Sequence, residues 1–256
     1  MTFMRTLVLS DIHANIVAFE AVLRHASQRR WDDVIFLGDI VGYYPAPEQS
    51  VTLLRDLNPK VTILGNHDAL LLSEVGRRGG SDFRSRSVVA EVISKHARAL
   101  SEEGVAYINS FQGHALSERW EAVHGALTDQ WTYLSDLLKA QRNHPKMQRD
   151  LLLFGHTHVP VAYVCAKVGS REMWRTVSFQ NEGSVYRIPP NAQVLFNPGS
   201  VGQPRDGVPL ASYAIIDDTA RTLEVFRVEF DIVKVQRQLR EAGYNESLGT
   251  RLELGH

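Results

Sequence analysis

The chain has a single cysteine, Cys165, among its 256 residues. An internal disulfide framework is therefore excluded, in keeping with a reducing compartment. Long apolar runs are missing as well. None approaches the ~20 residues that a membrane-spanning helix needs. The short apolar stretch from Thr6 to Ser10 gives way at once to Asp11-Ile12-His13, with no cleavage-site pattern. Neither sign of charge is in surplus: 28 Lys and Arg stand against 29 Asp and Glu, for a net charge of -1. A strongly basic face is the usual footprint of a nucleic-acid or membrane surface, so both partners are disfavoured. No internal repeat, low-complexity tract or Pro/Gly/Ser linker interrupts the chain. The expectation is a soluble cytoplasmic protein forming one domain over residues 1–256. Its polar tail after about residue 243 is expected to be partly disordered.

Hydrophobic residues make up 44% of the chain, enough for a sizeable core. Thr6 to Ser10, Val34 to Leu37 and Val61 to Leu64 read as short buried strands. Between them, Ile16, Phe19, Val22, Leu23 and Ala26 share one helical face behind Asn15 as N-cap. Pro47 to Leu57 reads as a second helix with proline in its first turn. Such alternation predicts a parallel, doubly wound sheet. A polar loop is expected from Gly76 to Ser87, then a helix over Val88 to Leu100. A hairpin follows (Gln112 to Leu116 and Arg119 to His124), then a helix over Asp129 to Arg142 and a strand over Leu151 to Phe154. After Pro160 the texture changes to short antiparallel strands, and a helix over Asp231 to Ala242 closes the pattern. The β-rich segment from Val161 to Ile188 is open to an edge or an interface role.

Ten histidines are the unusual feature that remains. Five segments repeat one theme, a strand end followed by metal-ligand residue types. They are Asp11-x-His13, Gly38-Asp39, Gly65-Asn66-His67-Asp68, Val123-His124-Gly125 and Gly155-His156-Thr157-His158. Beyond the carboxyl ends of strands in an open α/β sheet, side chains far apart in sequence can converge. Asp11 and His13, like His156 and His158, stand two apart, which places each pair on one face of an extended segment. Carboxylate oxygen with imidazole nitrogen suits Mn, Fe or Zn better than Mg or Ca. The glycines at 38, 65, 125 and 155 are expected to let the backbone turn sharply beside the site. Each piece alone has an ordinary reading: Asp39 as a cap, Gly-Asn-His-Asp as a turn, His124 as a surface histidine. The argument lies in the set.

These five blocks, in this order, resemble the calcineurin-like metallophosphoesterase superfamily from Asp11 to about Asp217. Ser10-Asp11-Ile12-His13-Ala14-Asn15, Gly38-Asp39-Ile40-Val41-Gly42 and Asn197-Pro198-Gly199-Ser200-Val201-Gly202-Gln203-Pro204-Arg205 resemble its bacterial and archaeal branch of small phosphodiesterases. The resemblance implies a four-layer α/β/β/α sandwich with two mixed β-sheets. It implies two divalent transition-metal ions. Asp11, His13 and His158 would hold one, Asn66, His124 and His156 the other, and Asp39 would bridge them. It keeps His67 off the metals, above the pair, to meet the phosphate or the leaving group.

Asn15 is a candidate for the substrate phosphate or a plain helix cap. Arg205 is a candidate for a bidentate phosphate grip or a structural ion pair. Asp68 would orient the His67 ring or serve as a turn carboxylate. Tyr43 and Tyr44 would stack on a base or pack, and Cys165 reads as a small buried apolar residue. The implied activity is hydrolysis of a phosphodiester or phosphoanhydride in a small phosphorylated substrate such as a nucleotide or dinucleoside polyphosphate. The alternatives are a phosphomonoesterase, including a protein Ser/Thr phosphatase, or a non-catalytic metal-loaded binding protein. The four arginines between Gly76 and Ser87 would recognise extra phosphates or simply solvate a loop.

Overall fold

The computed structural model describes residues 4–76, 87–181 and 183–256. The arginines expected in the loop after Gly76 lie outside the described residues. The chain begins with β1 (Arg5–Leu9), α1 (Ile16–Ala26), β2 (Asp33–Phe36), α2 (Pro47–Asp56) and β3 (Val61–Thr62). Next come α3 (Asn66–Gly76), α4 (Val88–Ala99) and α5 (Glu102–Asn109), then the hairpin β4 (His114–Leu116) and β5 (Trp120–Val123). α6 (Leu137–Asn143) leads to β6 (Leu151–Leu153). The β-rich half holds β7 (Pro160–Val168), β8 (Arg171–Ser178), β9 (Ser184–Arg187), β10 (Ala192–Pro198), β11 (Ala211–Asp217) and β12 (Thr222–Val228). α7 (Ile232–Glu241) and α8 (Ser247–Leu254) follow.

Twelve strands among the described residues form two six-stranded sheets, in the orders β3-β2-β1-β11-β12-β9 and β4-β5-β6-β10-β7-β8. Both are mixed. β1 runs parallel to β2 and antiparallel to β11, while β10 runs parallel to β6 and antiparallel to β7. Alternation along each strand separates the layers. Val8, Ile35, Leu153, Val164 and Phe196 fill the space between the sheets. Leu7 and Leu9 point the other way, to Phe19 and Val22 of α1. Leu152 and Leu195 face Leu134 and Ala140 on the outside of the second sheet. Each such side chain gains about 1.5–3 kcal/mol on full burial. The result is the expected α/β/β/α sandwich.

Two expectations are corrected. The helix expected from Asp129 begins only at Leu137. Asp129 instead accepts from the Trp131 amide at 3.1 Å and the Thr132 hydroxyl at 3.1 Å, which closes a turn ahead of α6. The tail expected to be disordered carries α8. Its Leu248 and Leu252, one helical turn apart, are buried against a cluster that includes Tyr43, Tyr44 and Leu239. The Tyr44 hydroxyl also donates to the Leu248 carbonyl at 3.3 Å. No helix of the described residues is long and apolar enough to cross a membrane.

Candidate metal centre

The five segments follow the carboxyl ends of β1, β2, β3, β5 and β6, and they meet at one end of the two sheets. Extended geometry does not bring them together. Asp11, His13, Asp39, His156 and His158 all have φ between 53° and 65°, the left-handed region. The pairs two residues apart therefore converge through left-handed turns rather than along one strand face. Such conformations cost roughly 1–3 kcal/mol each away from glycine and persist only where the surroundings enforce them. The neighbouring glycines serve mostly another purpose. Among Gly38, Gly65, Gly125 and Gly155, only Gly38 has positive φ, at 103°. At Gly65 a Cβ would lie 2.1 Å from Asp39 Oδ1, and at Gly155 it would lie 2.1 Å from Ser10 Oγ. These glycines allow close approach, not turning.

Three overlapping groups of ligand-type atoms result: Asp11, His13 and His158; His13, Asp39 and His67; and Asp39, His124 and His156. His158 Nε2 is 3.2 Å from Asp11 Oδ1 and 3.1 Å from His13 Nε2. His124 Nε2 is 3.1 Å from Asn66 Oδ1. Asp39 Oδ2 stands between the two sides, 3.7 Å from His13 Nε2 and 3.4 Å from His124 Nε2. Asp39 Oδ1 is turned away, accepting from the His67 amide at 2.8 Å.

Main-chain carbonyls set the tautomers. His13 Nδ1 donates to Val41 O at 3.0 Å, His124 Nδ1 to Leu37 O at 2.7 Å and His158 Nδ1 to Gln203 O at 2.6 Å. Each thereby turns Nε2 inward. His156 is the reverse, with Nε2 on Trp131 O at 3.0 Å and Nδ1 left for the site. Such outer bonds orient imidazole ligands in metal centres. Burial holds His13 and His158 below the usual histidine range, which favours the neutral form of both rings. Two Nε2 lone pairs thus meet at 3.1 Å beside a carboxylate. That arrangement is repulsive for the residues alone and favourable around a cation. The donor set of carboxylate oxygen and imidazole nitrogen fits a divalent transition-metal ion.

Other charges follow from the same crowding. Burial acts to raise Asp11, but His158 and His124 hold it well below the ordinary carboxylate range. Burial acts against a charged His124, yet Asp39 and Asp11 push it up to about 9. Burial and neighbouring His124 bring His156 down to about 4.

His67 sits at the first turn of α3, 5% exposed, and its Nδ1 has no hydrogen-bond partner. Its ring centre is 4.8 Å from that of His13 and 4.7 Å from that of Tyr43. Gly42, at φ 102°, makes room, since a Cβ there would lie 2.5 Å from His67 Nδ1. Asp68 does not orient the His67 ring. Its oxygens accept from the amides of Asp39 at 2.8 Å, Ile40 at 3.0 Å, Gly65 at 3.0 Å and Val41 at 3.3 Å. It clamps the Asp39 loop onto the start of α3.

Asn15 is committed to main chain at both ends of its amide. It caps α1 through Ala18 N at 3.2 Å and donates to Gly202 O at 2.8 Å. The cap reading therefore replaces the phosphate-binding one. Among the described residues Arg205 makes no ion pair. Its guanidinium donates to Gln203 Oε1 at 2.8 Å and to the Tyr43 hydroxyl at 3.2 Å. Tyr43 and Tyr44 are 8% and 0% exposed and pack rather than present a stacking face. Cys165 is buried, as expected.

Several functional contacts escaped the sequence reading. Asn197 donates to Gly155 O at 2.6 Å, and Ser200 Oγ donates to Asp11 O at 2.8 Å. With Gln203 O on His158, the run from Asn197 buckles β1 and β6 together. Its dense Asn, Gly and Ser content was the available signal. Tyr133 stacks on His156 with ring centres 3.8 Å apart, and no pattern in the sequence marks it.

The calcineurin-like phosphoesterase superfamily domain matches residues 4–221. An uncharacterised protein of Methanocaldococcus jannaschii is 33% identical over 263 residues, which cover 97% of this chain and 97% of that protein. The phosphodiesterase YfcE of Escherichia coli is 25% identical over 225 residues, which cover 84% of this chain and 88% of YfcE. The crystal structure of a metallophosphoesterase from Sphaerobacter thermophilus matches with a TM-score of 0.85 at 36% identity, covering 100% of both chains. A Pyrococcus horikoshii protein of 16% identity shares the fold with a TM-score of 0.76, covering 100% of this chain and 99% of its own.

Proposed function

As the chain belongs to the calcineurin-like phosphoesterase superfamily and its branch of small YfcE-like phosphodiesterases, we propose that it hydrolyses a phosphodiester or phosphoanhydride bond with two divalent transition-metal ions. Asp11, His13 and His158 hold the first ion, and Asn66, His124 and His156 hold the second. The position of Asp39 Oδ2 between the Nε2 atoms of His13 and His124 is the observation that carries this reading, since it would give both ions one shared ligand. Bound ions supply Lewis acidity, which brings water deprotonation near neutral pH and offsets charge on the phosphoryl oxygens.

The chain's own residues do the rest. Asp68 fixes the Asp39 loop through four main-chain amides, so the shared carboxylate needs no reorganisation. His67 Nδ1 has no hydrogen-bond partner among the described residues. It donates a hydrogen bond to a phosphoryl oxygen or a proton to the leaving oxygen. Arg205, whose guanidinium donates to Gln203 Oε1 and the Tyr43 hydroxyl, supplies positive charge for a substrate phosphate. Tyr43 holds the His67 ring on one side and the Arg205 guanidinium on the other.

The test joins composition to turnover. Elemental analysis of the purified protein is expected to find close to two Mn, Fe or Zn per chain. Turnover with added Mn is expected to be faster on a phosphodiester or on diadenosine tetraphosphate than on a phosphomonoester. Preference for the monoester would favour the phosphatase reading. Two metals without turnover of any of the three would leave a binding protein, and no metal at all would sink the centre.

A further inference from the structure

Two arginines from distant parts of the chain meet at Tyr43. Arg205, in the loop after β10, and Arg251, on α8, each place the guanidinium carbon 5.7 Å from the Tyr43 ring centre. The same ring lies 4.6 Å from the His13 ring and 4.7 Å from the His67 ring. The two cations thus stand at the rim of the metal centre, at most twice 5.7 Å apart.

Both guanidiniums are half-buried. Arg205 uses Gln203 Oε1 and the Tyr43 hydroxyl. Arg251 donates from Nε to the main-chain oxygen of His256 at 3.1 Å. Neither takes part in the ion pairs found among the described residues. A contact with an aromatic face accounts for where Arg251 rests, but it leaves most of its five N–H donors unused. Two like charges sharing one tyrosine also repel, and an anion between them removes that cost.

The position of Arg251 is built into the fold. Leu248 and Leu252 are 1% and 0% exposed, and the Tyr44 hydroxyl ties Leu248 O to the loop carrying Tyr43. α8 is therefore packed onto the rim of the centre. A phosphate undergoing hydrolysis occupies the metal ions, so a guanidinium pair beside them is free for a second phosphate.

We propose that Arg205 and Arg251 form an anion subsite around Tyr43 that takes an additional phosphate, which selects nucleoside or dinucleoside polyphosphates over simple diesters. This rests on the metal centre being the site of hydrolysis. Binding of adenosine 5′-diphosphate and 5′-monophosphate to the Mn-loaded protein, measured by calorimetry, tests it. The diphosphate is expected to bind at least tenfold more tightly than the monophosphate. Arg251→Gln is expected to lower that ratio tenfold or more, and Arg251→Lys to restore part of it, which a mere packing role would not do. Equal binding of the two nucleotides by the wild type, or a ratio unmoved by Arg251→Gln, would overturn the subsite. Wild-type hydrolysis of bis(p-nitrophenyl) phosphate, followed in parallel, separates the two claims. Turnover with an unmoved ratio removes the subsite alone. No turnover with a ratio that falls in the variant keeps the subsite and removes the hydrolytic reading.

Discussion

The Nε2 atoms of His13 and His158 face one another at 3.1 Å while each Nδ1 is held by a main-chain carbonyl. Neither ring can turn away without giving up a buried hydrogen bond, so the repulsion between them is relieved by a cation. Metal should therefore stabilise the fold strongly. Ligand at a thousand times its Kd contributes about 4 kcal/mol, and 1 kcal/mol shifts Tm by about 2–4 °C in a chain of this size. Thermal melts with added Mn should exceed melts in chelator by about 10 °C. A melt indifferent to both would contradict the metal assignment.

His67 and Asp39 should respond differently to substitution. His67 Nδ1 is unpartnered and its ring touches Tyr43, whereas Asp39 Oδ2 lies within 4 Å of two inward-facing imidazoles. His67→Ala is expected to retain both metals by elemental analysis and to lose about 10²–10⁴-fold in kcat. Asp39→Asn is expected to lose metal first. A His67→Ala variant that loses metal would move His67 into the ligand set, where the proximity of His13, Asp39 and His67 also allows it.

What the sequence could reveal followed the range of each interaction. Ligand types at strand ends were legible because strand ends and Gly-flanked polar clusters are local features. The antiparallel half was legible from the change of texture at Pro160, whereas the layers came from family resemblance. Division into two metal positions was not legible from spacing, and it came from family resemblance. The left-handed φ of Asp11, His13, Asp39, His156 and His158 was not legible either, because tertiary contacts impose it. Asp68 reads as a turn residue until its four amide partners, contributed by two loops, are seen. Arg251 is 208 residues from Tyr43, in a tail whose polar composition hid Leu248 and Leu252.

Gly65 is a steric requirement of the Asp39 carboxylate. A Cβ there would lie 2.1 Å from Asp39 Oδ1 and 2.3 Å from Asp39 N, and the loop is pinned by Asp68 and has no room to retreat. Gly65→Ala should destabilise by about 1–3 kcal/mol, as overpacking does, and should lower metal occupancy as Asp39 shifts. Gly76 supplies the control: among the described residues nothing lies within 4 Å of its Cβ position, so alanine there should lower neither readout. Full metal occupancy and an unchanged Tm in Gly65→Ala would show that the loop yields more easily than its hydrogen bonds suggest.

His96 ties the loop bearing Tyr43 to α4 in its neutral form. Nε2 donates to Tyr44 O at 2.9 Å, and Nδ1 accepts from Gly42 N at 3.2 Å. Protonation would turn that acceptor into a donor facing a donor. Burial accordingly brings the group down to about 3 from its usual 6.5. With the folded value depressed, the stabilisation is complete above pH 6.5 and is lost as pH falls from there toward 3, because only the unfolded chain takes the proton. One proton taken up on unfolding gives a slope of about 1.4 kcal/mol per pH unit. Urea unfolding of the wild type between pH 6.5 and 4.5, at fixed metal concentration, should be steeper in pH than that of His96→Gln by up to this amount. Equal slopes would mean that His96 is protonated in the fold, and that the contact with Gly42 is not the bond that holds this loop.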